Sequence, residues 1–160
     1  MDYNIVNMNR EYAAVISKWI YEEPYNIYSG DGSNEYIEEL LDGSYYAVLD
    51  MNNELIGFYC FGNAAQVPAG NEYDVYSNKD LIDIGLGLRP DLCGKSKGYD
   101  FLSRELTYAQ KKFDNNDFRL TVAEFNKRAI NLYERAGFSK VTAFVREMPD
   151  NEMRFIVMEK

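Results

Sequence analysis

The spacing of apolar and polar positions changes several times along the chain, and each change marks an element. Tyr3 to Met8 alternates as a strand does. From Glu11 to Tyr21, Tyr12, Val15, Ile16, Trp19 and Ile20 recur at the period of an amphipathic helix. Asn7 or Asn9 is placed to cap it, and Pro24 to end it. Ser33 to Leu41 predicts a second helix, with Ser33 as N-cap, a stripe of Tyr36, Ile37, Leu40 and Leu41, and Gly43 as its stop. Tyr45 to Leu49 and Leu55 to Phe61 read as an antiparallel hairpin across Asp50 to Asn53. Gly57 within it marks a bulge or a close backbone approach.

Asn63 to Asp80 keeps no period and is polar. A loop of that length in a compact domain is more often functional than idle, and it is a candidate wall of an acceptor site. The stretch LIDIGLGLRPDLCGKSKGY, Leu81 to Tyr99, then runs from a short apolar fourth strand through Arg89-Pro90 and a glycine loop into a helix over about Gly98 to Lys112. Strand, glycine loop and helix N-terminus in that order make an anion site, because amides unpaired in the first helical turn face the ligand and the helix dipole adds to them. Tyr99, Leu102, Leu106, Ala109 and Phe113 are the expected packing stripe of the helix.

Phe118, Leu120 and Val122 alternate with Arg119 and Thr121 as a fifth strand, which a right-handed crossover would place parallel to the fourth. Asn126 caps a further helix packed through Ala129, Ile130, Leu132, Tyr133 and Ala136, with Gly137 as its left-handed end and Phe138 folding back on it. Two strands, Val141 to Arg146 and Met153 to Met158, close the chain. The pattern predicts a mixed α/β domain over residues 1–160.

Composition narrows the chemistry. The 160 residues include no histidine, which excludes a Ser-His-Asp triad, a Cys-His pair and a histidine-held metal; no metal site is expected. Cys60 and Cys93 form no CxxC. The formal charge of −9 argues against nucleic acid as a partner and is compatible with a cationic substrate. No run is apolar enough for a membrane span and the start does not read as a signal peptide, so a cytoplasmic protein is expected. GxxxxGK[ST] is absent, and Gly85 and Gly87 lie too late in the chain for a dinucleotide fingerprint.

Cys93-Gly94-Lys95-Ser96-Lys97-Gly98 resembles the pyrophosphate loop Gln/Arg-x-x-Gly-x-Gly/Ala of the GNAT N-acetyltransferase superfamily. Cys93 stands at the Gln/Arg position and Ser96 at the middle glycine. Asn126 to Phe138 resembles the family's Asn-x-x-Ala-x-x-Leu-Tyr-x-x-x-Gly-Phe block, and the element order agrees over nearly the whole chain. The resemblance implies a mostly antiparallel sheet of about seven strands flanked by about four helices, with the parallel fourth and fifth strands splayed at the cofactor. It implies acetyl-CoA as co-substrate and a primary amine of a small molecule or a peptide N-terminus as acceptor.

By the same resemblance, Gly94 to Gly98 would hold the pyrophosphate, with Lys95 and Lys97 adding charge and Ser96 a hydroxyl. The backbone of Leu86 and Leu88 would pair with the pantetheine. Asn126 and Asn131 would orient the cofactor arm, and Tyr133 would protonate the departing sulfur. Asp83, or else Glu124, is the candidate base. A homodimer is compatible with the family. The departures at Cys93 and Ser96 leave a second reading open, a CoA-binding sensor or interaction module without turnover.

Overall fold

The computed structural model describes residues 2–160. Its elements follow the expected order: β1 (Asn4–Asn7), α1 (Arg10–Ile16), α2 (Asn34–Leu40), β2 (Tyr45–Leu49), β3 (Leu55–Phe61), β4 (Ile82–Leu88), α3 (Gly98–Phe113), β5 (Phe118–Ala123), α4 (Lys127–Arg135), β6 (Ser139–Glu147) and β7 (Glu152–Glu159), with short 3-10 turns between some of them. The sheet has seven strands in the order β1-β2-β3-β4-β5-β7-β6. β4 and β5 are parallel, whereas β1/β2, β2/β3, β5/β7 and β6/β7 are antiparallel. The parallel register covers only Ile82↔Phe118 and Asp83↔Arg119, so the ladder joins the strands at their N-terminal ends alone. The chain divides into two compact units, Met1–Cys60 with Leu86–Glu105 and Phe61–Gly85 with Leu106–Lys160.

In the first unit, Ala13, Ile16 and Trp19 pack with Ile37 and Leu40. Asn9 and Ser33 cap the two helices as their sequences suggest, accepting from Tyr12 N and Tyr36 N. Helix α1 is shorter than its periodicity predicts, ending at Ile16 rather than Tyr21. The physical reason lies where the chain returns past the helix end. The buried Ser17 carbonyl accepts from Gly32 N at 2.9 Å, and Gly30 passes so close that a Cβ there would stand 2.1 Å from that oxygen. The i−4 ladder gives way at Lys18 and Trp19, whose N–H groups donate to Val15 O and Ile16 O, and the Ser17 carbonyl that a longer helix would offer to Tyr21 N goes to the returning chain; Ile20, an expected core residue, is 74% exposed.

Gly57 marks a close approach, since a Cβ there would lie 2.5 Å from Gly87 O and from the Phe101 ring. The bulge in this hairpin falls instead between Val48 and Leu49. Helix α3 buries Phe101, Leu102, Glu105 and Ala109, while Tyr99 and Phe113 of the expected stripe are 43% and 42% exposed. A carboxyl group therefore occupies a core position.

In the second unit, Ala123, Phe144, Phe155 and Val157 form the core. Helix α4 ends in a Schellman arrangement: Gly137, at φ 103°, donates to Glu134 O, and Phe138 N donates to Tyr133 O. The accompanying contact is aromatic, with the Tyr133 and Phe138 rings 6.2 Å apart, edge to face. Lys160 Nζ adds a cation at that helix end, donating to Ala136 O at 2.7 Å.

Candidate active site

Peptide groups alternate in direction along a strand, and that alternation decides what β4 offers. Arg89 N donates to Ile56 O at 2.8 Å, and Gly87 O lies against Gly57 of β3. Residues 87 and 89 thus face β3, and the peptide groups of Leu86 and Leu88 face away from it. The Leu88 carbonyl is already engaged: Tyr21 OH donates to it at 2.8 Å, and Cys93 Sγ lies 3.6 Å away. Burial pushes the Tyr21 phenol well above its usual range, so it stays a donor at any ordinary pH.

After Leu88 the chain makes a short 3-10 turn, Pro90–Leu92, steadied by Arg89, which pairs with Asp91 at 2.6 Å and donates to Leu55 O at 3.0 Å. The Arg89 side chain holds the Asp91 carboxyl below the usual carboxylate range, chiefly through their hydrogen bond. Two left-handed residues follow, Gly94 at φ 73° and Ser96 at φ 61°. Gly98 then opens the 16-residue helix α3. Ser96 stands where the resembling loop has glycine and adopts the backbone that glycine would supply; the left-handed region costs a non-glycine residue roughly 1–2 kcal/mol. Left-handed residues just before a helix turn successive N–H groups toward one concavity, the geometry of an anion nest. Gly94, Lys95 and Ser96 are exposed, and Lys97 and Gly98 are half-buried.

Asp83, expected as a base, is 4% exposed and lies in a buried ion pair of the second unit. Its Oδ1 accepts from Arg119 Nε and its Oδ2 from Arg119 Nη2, both at 2.7 Å. Gln66 Nε2 donates to Oδ2 at 2.9 Å. Arg119 continues through Nη1 to the carbonyls of Val75 at 3.3 Å and Asn78 at 3.1 Å, and its guanidinium carbon stands 5.2 Å from the Tyr76 ring centroid. Hydrogen bonding to Asp83 raises Arg119 above its ordinary pKa, against the pull of desolvation. Tyr76 OH meets Thr121 Oγ1 at 2.7 Å and accepts from Val67 N at 3.0 Å. The long segment after β3, which contains two 3-10 turns, is thereby tied to β4 and β5. Glu124, the other candidate base, pairs with Arg154 at 2.8 Å on the surface.

On α4 the Asn126 side chain is the N-cap, its Oδ1 accepting from Ala129 N at 3.1 Å. Asn131 is exposed, and Tyr133 is half-buried against Phe138. Tyr21, Gln66 and Arg119 were missed in the sequence, each for its own reason. Tyr21 falls at the end of the expected first helix, Gln66 lies in a segment without period, and Arg119 occupies an alternate strand position that reads as outward. A signal existed for Arg119: parallel strands are covered on both faces, so a charge there calls for a buried partner. The facing acid was Asp83.

Among the described residues, no helix is long and apolar enough to cross a membrane. No curated sequence matches the chain. Similar solved structures include an acetyltransferase (GNAT family) from Bacillus anthracis, at TM-score 0.73 and 12% identity over 100% of this chain and 95% of that one. They also include a spermidine N-acetyltransferase SpeG chimera from Vibrio cholerae and hSSAT, at 0.71 and 20% over 99% and 95%. The spermidine/spermine N-acetyltransferase SpeG from Vibrio cholerae, in complex with manganese ions, aligns at 0.68 and 17% over 99% and 91%. At these identities the likeness establishes the fold, a mixed α/β sheet of the GNAT type. The sequence model of the Acetyltransferase (GNAT) family matches residues 13–138, a span that takes in both the loop after β4 and the whole of α4. The chain therefore belongs to the GNAT acetyltransferase family.

Proposed function

We propose that this chain is an acetyl-CoA-dependent N-acetyltransferase acting on a primary amine of a small molecule or a peptide N-terminus, with the amine attacking the thioester directly. The observation that carries the cofactor reading is the loop from Cys93 to Gly98. Ser96 at φ 61° adopts a left-handed backbone of the kind glycine favours, which supports an amide cradle there despite the departure from the family's loop. The donor set suits a diphosphate: backbone N–H groups, the N-terminus of α3, and the ammonium groups of Lys95 and Lys97.

Acetyl-CoA supplies an activated acyl group on a thiol leaving group. Because Tyr21 already occupies the Leu88 carbonyl, pairing with the cofactor arm falls to the Leu86 peptide groups and the Leu88 N–H. An amide of that strand is the natural donor to a developing oxyanion. Tyr133 is the proton donor to the leaving sulfur. Asn131 orients the arm, and Asn126 acts from the helix cap to which its Oδ1 is committed. Asp83 is assigned an electrostatic and positioning role, because taking up a proton would disrupt a buried, doubly hydrogen-bonded ion pair. Loss of the amine proton is then assigned to water.

The test is incubation with acetyl-CoA and a panel of amines while free thiol is followed. Amine-dependent thiol release is expected. Tyr133→Phe should lower its rate by roughly 10²-fold while the CoA dissociation constant holds; an unaltered rate removes the acid assignment. Tight CoA binding without release would favour the non-catalytic module instead.

A further inference from the structure

The buried ion pair has a consequence for the residue beside it. An ionised carboxylate only accepts hydrogen bonds, so Gln66 must present its amide nitrogen to Asp83, as it does at 2.9 Å. Arg119 holds Asp83 through two bonds, and the orientation of Gln66 is fixed with it. Its carbonyl oxygen, Oε1, is then directed away from the pair.

Gln66 lines a cavity of about 270 Å³ within the second unit, together with Phe61, Leu81, Ile82, Phe113 and Lys79. The Phe61 and Phe113 rings meet edge to face at 5.3 Å and make an aromatic wall. The sole carboxylate of the lining, Asp83, is balanced by Arg119, so Lys79 leaves the cavity with a net positive charge. Such a site is poor for a polycation. It suits an apolar stem ending in one N–H donor, and the Lys79 charge favours the neutral form of an amine, which is the form that attacks.

We propose that this cavity takes the acceptor, a primary amine on an aryl or alkyl stem, and that Gln66 Oε1 receives the amine N–H, with Asp83 and Arg119 as positioning residues. The inference rests on the N-acetyltransferase reading above and narrows its acceptor class.

The experiment compares wild type with Gln66→Leu and Gln66→Glu, using benzylamine and 2-phenylethylamine as probes and spermidine as the polycationic contrast. Thiol release is measured across pH, amine binding to the cofactor-free protein is followed by NMR titration, and melting temperatures confirm that each variant folds. The arylamines should exceed spermidine in kcat/KM. Gln66→Leu should raise the arylamine KM roughly tenfold, the loss of one hydrogen bond, with the acetyl-CoA KM unchanged. Gln66→Glu, whose anion favours the ammonium form, should move the rise of kcat/KM to higher pH. An unchanged arylamine KM in Gln66→Leu, or a preference for spermidine, overturns the inference and leaves the N-acetyltransferase reading standing. If no amine releases thiol, that reading fails, and NMR still decides the role of Gln66. Weaker arylamine binding by Gln66→Leu supports it, and equal binding overturns it.

Discussion

Replacing Glu105 by methionine should stabilise the protein, and by more as the pH rises. Glu105 is fully buried on α3, and neither carboxyl oxygen has a hydrogen-bond partner among the described residues. Its charge, when present, acts on the neighbouring Tyr59 phenol and Cys60 thiol, both pushed up mainly by burial. Desolvation lifts the Glu105 carboxyl well above its ordinary value of 4.5, so the folded protein holds it neutral. Two costs follow. Unmade hydrogen bonds of a buried polar group cost about 1–3 kcal/mol, which methionine of similar volume removes at any pH. The second cost depends on pH. With the folded pKa raised, the folded state binds more protons than the unfolded chain. Stability is then retained below about pH 4.5 and lost as the pH climbs from there toward the folded pKa, at up to about 1.4 kcal/mol per pH unit. Urea denaturation of wild type and Glu105→Met at pH 5, 6 and 7 measures the difference directly, because every other group titrates in both. The gap should widen in favour of the variant as the pH rises from 5 to 7. A gap that stays constant, or a variant less stable than wild type at pH 7, would refute the reasoning.

Other outcomes follow from the loop and the ion pair. Ser96→Gly removes left-handed strain of about 1–2 kcal/mol and adds unfolded-chain entropy of about 0.5–1 kcal/mol, so a net gain of roughly 0.5 kcal/mol is expected in the urea midpoint, with CoA affinity kept. A loss of stability would mean that the hydroxyl does more than fill the position. Arg119→Met leaves Asp83 buried without its counter-charge and should cost about 3–5 kcal/mol at pH 7. Adding Asp83→Asn to it should recover part of the loss; a single variant as stable as wild type contradicts the buried pair.

Much was legible because it is local. Asn9, Ser33 and Asn126 cap helices through bonds to residues three positions on, and Gly137-Phe138 closes α4 through bonds within one turn. Alternation over Tyr45–Leu49 and Leu55–Phe61 carries its own strand signal, and both spans are as the pattern sets them. Such features depend on backbone sterics and on hydrogen bonds between near neighbours, which a sequence displays. The glycine loop and the α4 block were legible for the same reason, as contiguous motifs.

What only the tertiary structure decided depends on residues far apart in the chain. Helix α1 stops where Gly32 captures the Ser17 carbonyl, a bond across a returning segment. Periodicity could not separate Glu105 from its neighbours on α3, because burial is settled by what packs against a helix face. Asp83, Arg119 and Gln66 come from a strand start, an apparently outward strand position and a loop, and the parallel register of Asp83 with Arg119 makes them one network. By itself the sequence determined the elements, their caps and the family of the chain. The fold decided which acid is held as an ion pair, which is buried alone, and which amide donates to that pair, because each is a matter of desolvation and long-range pairing.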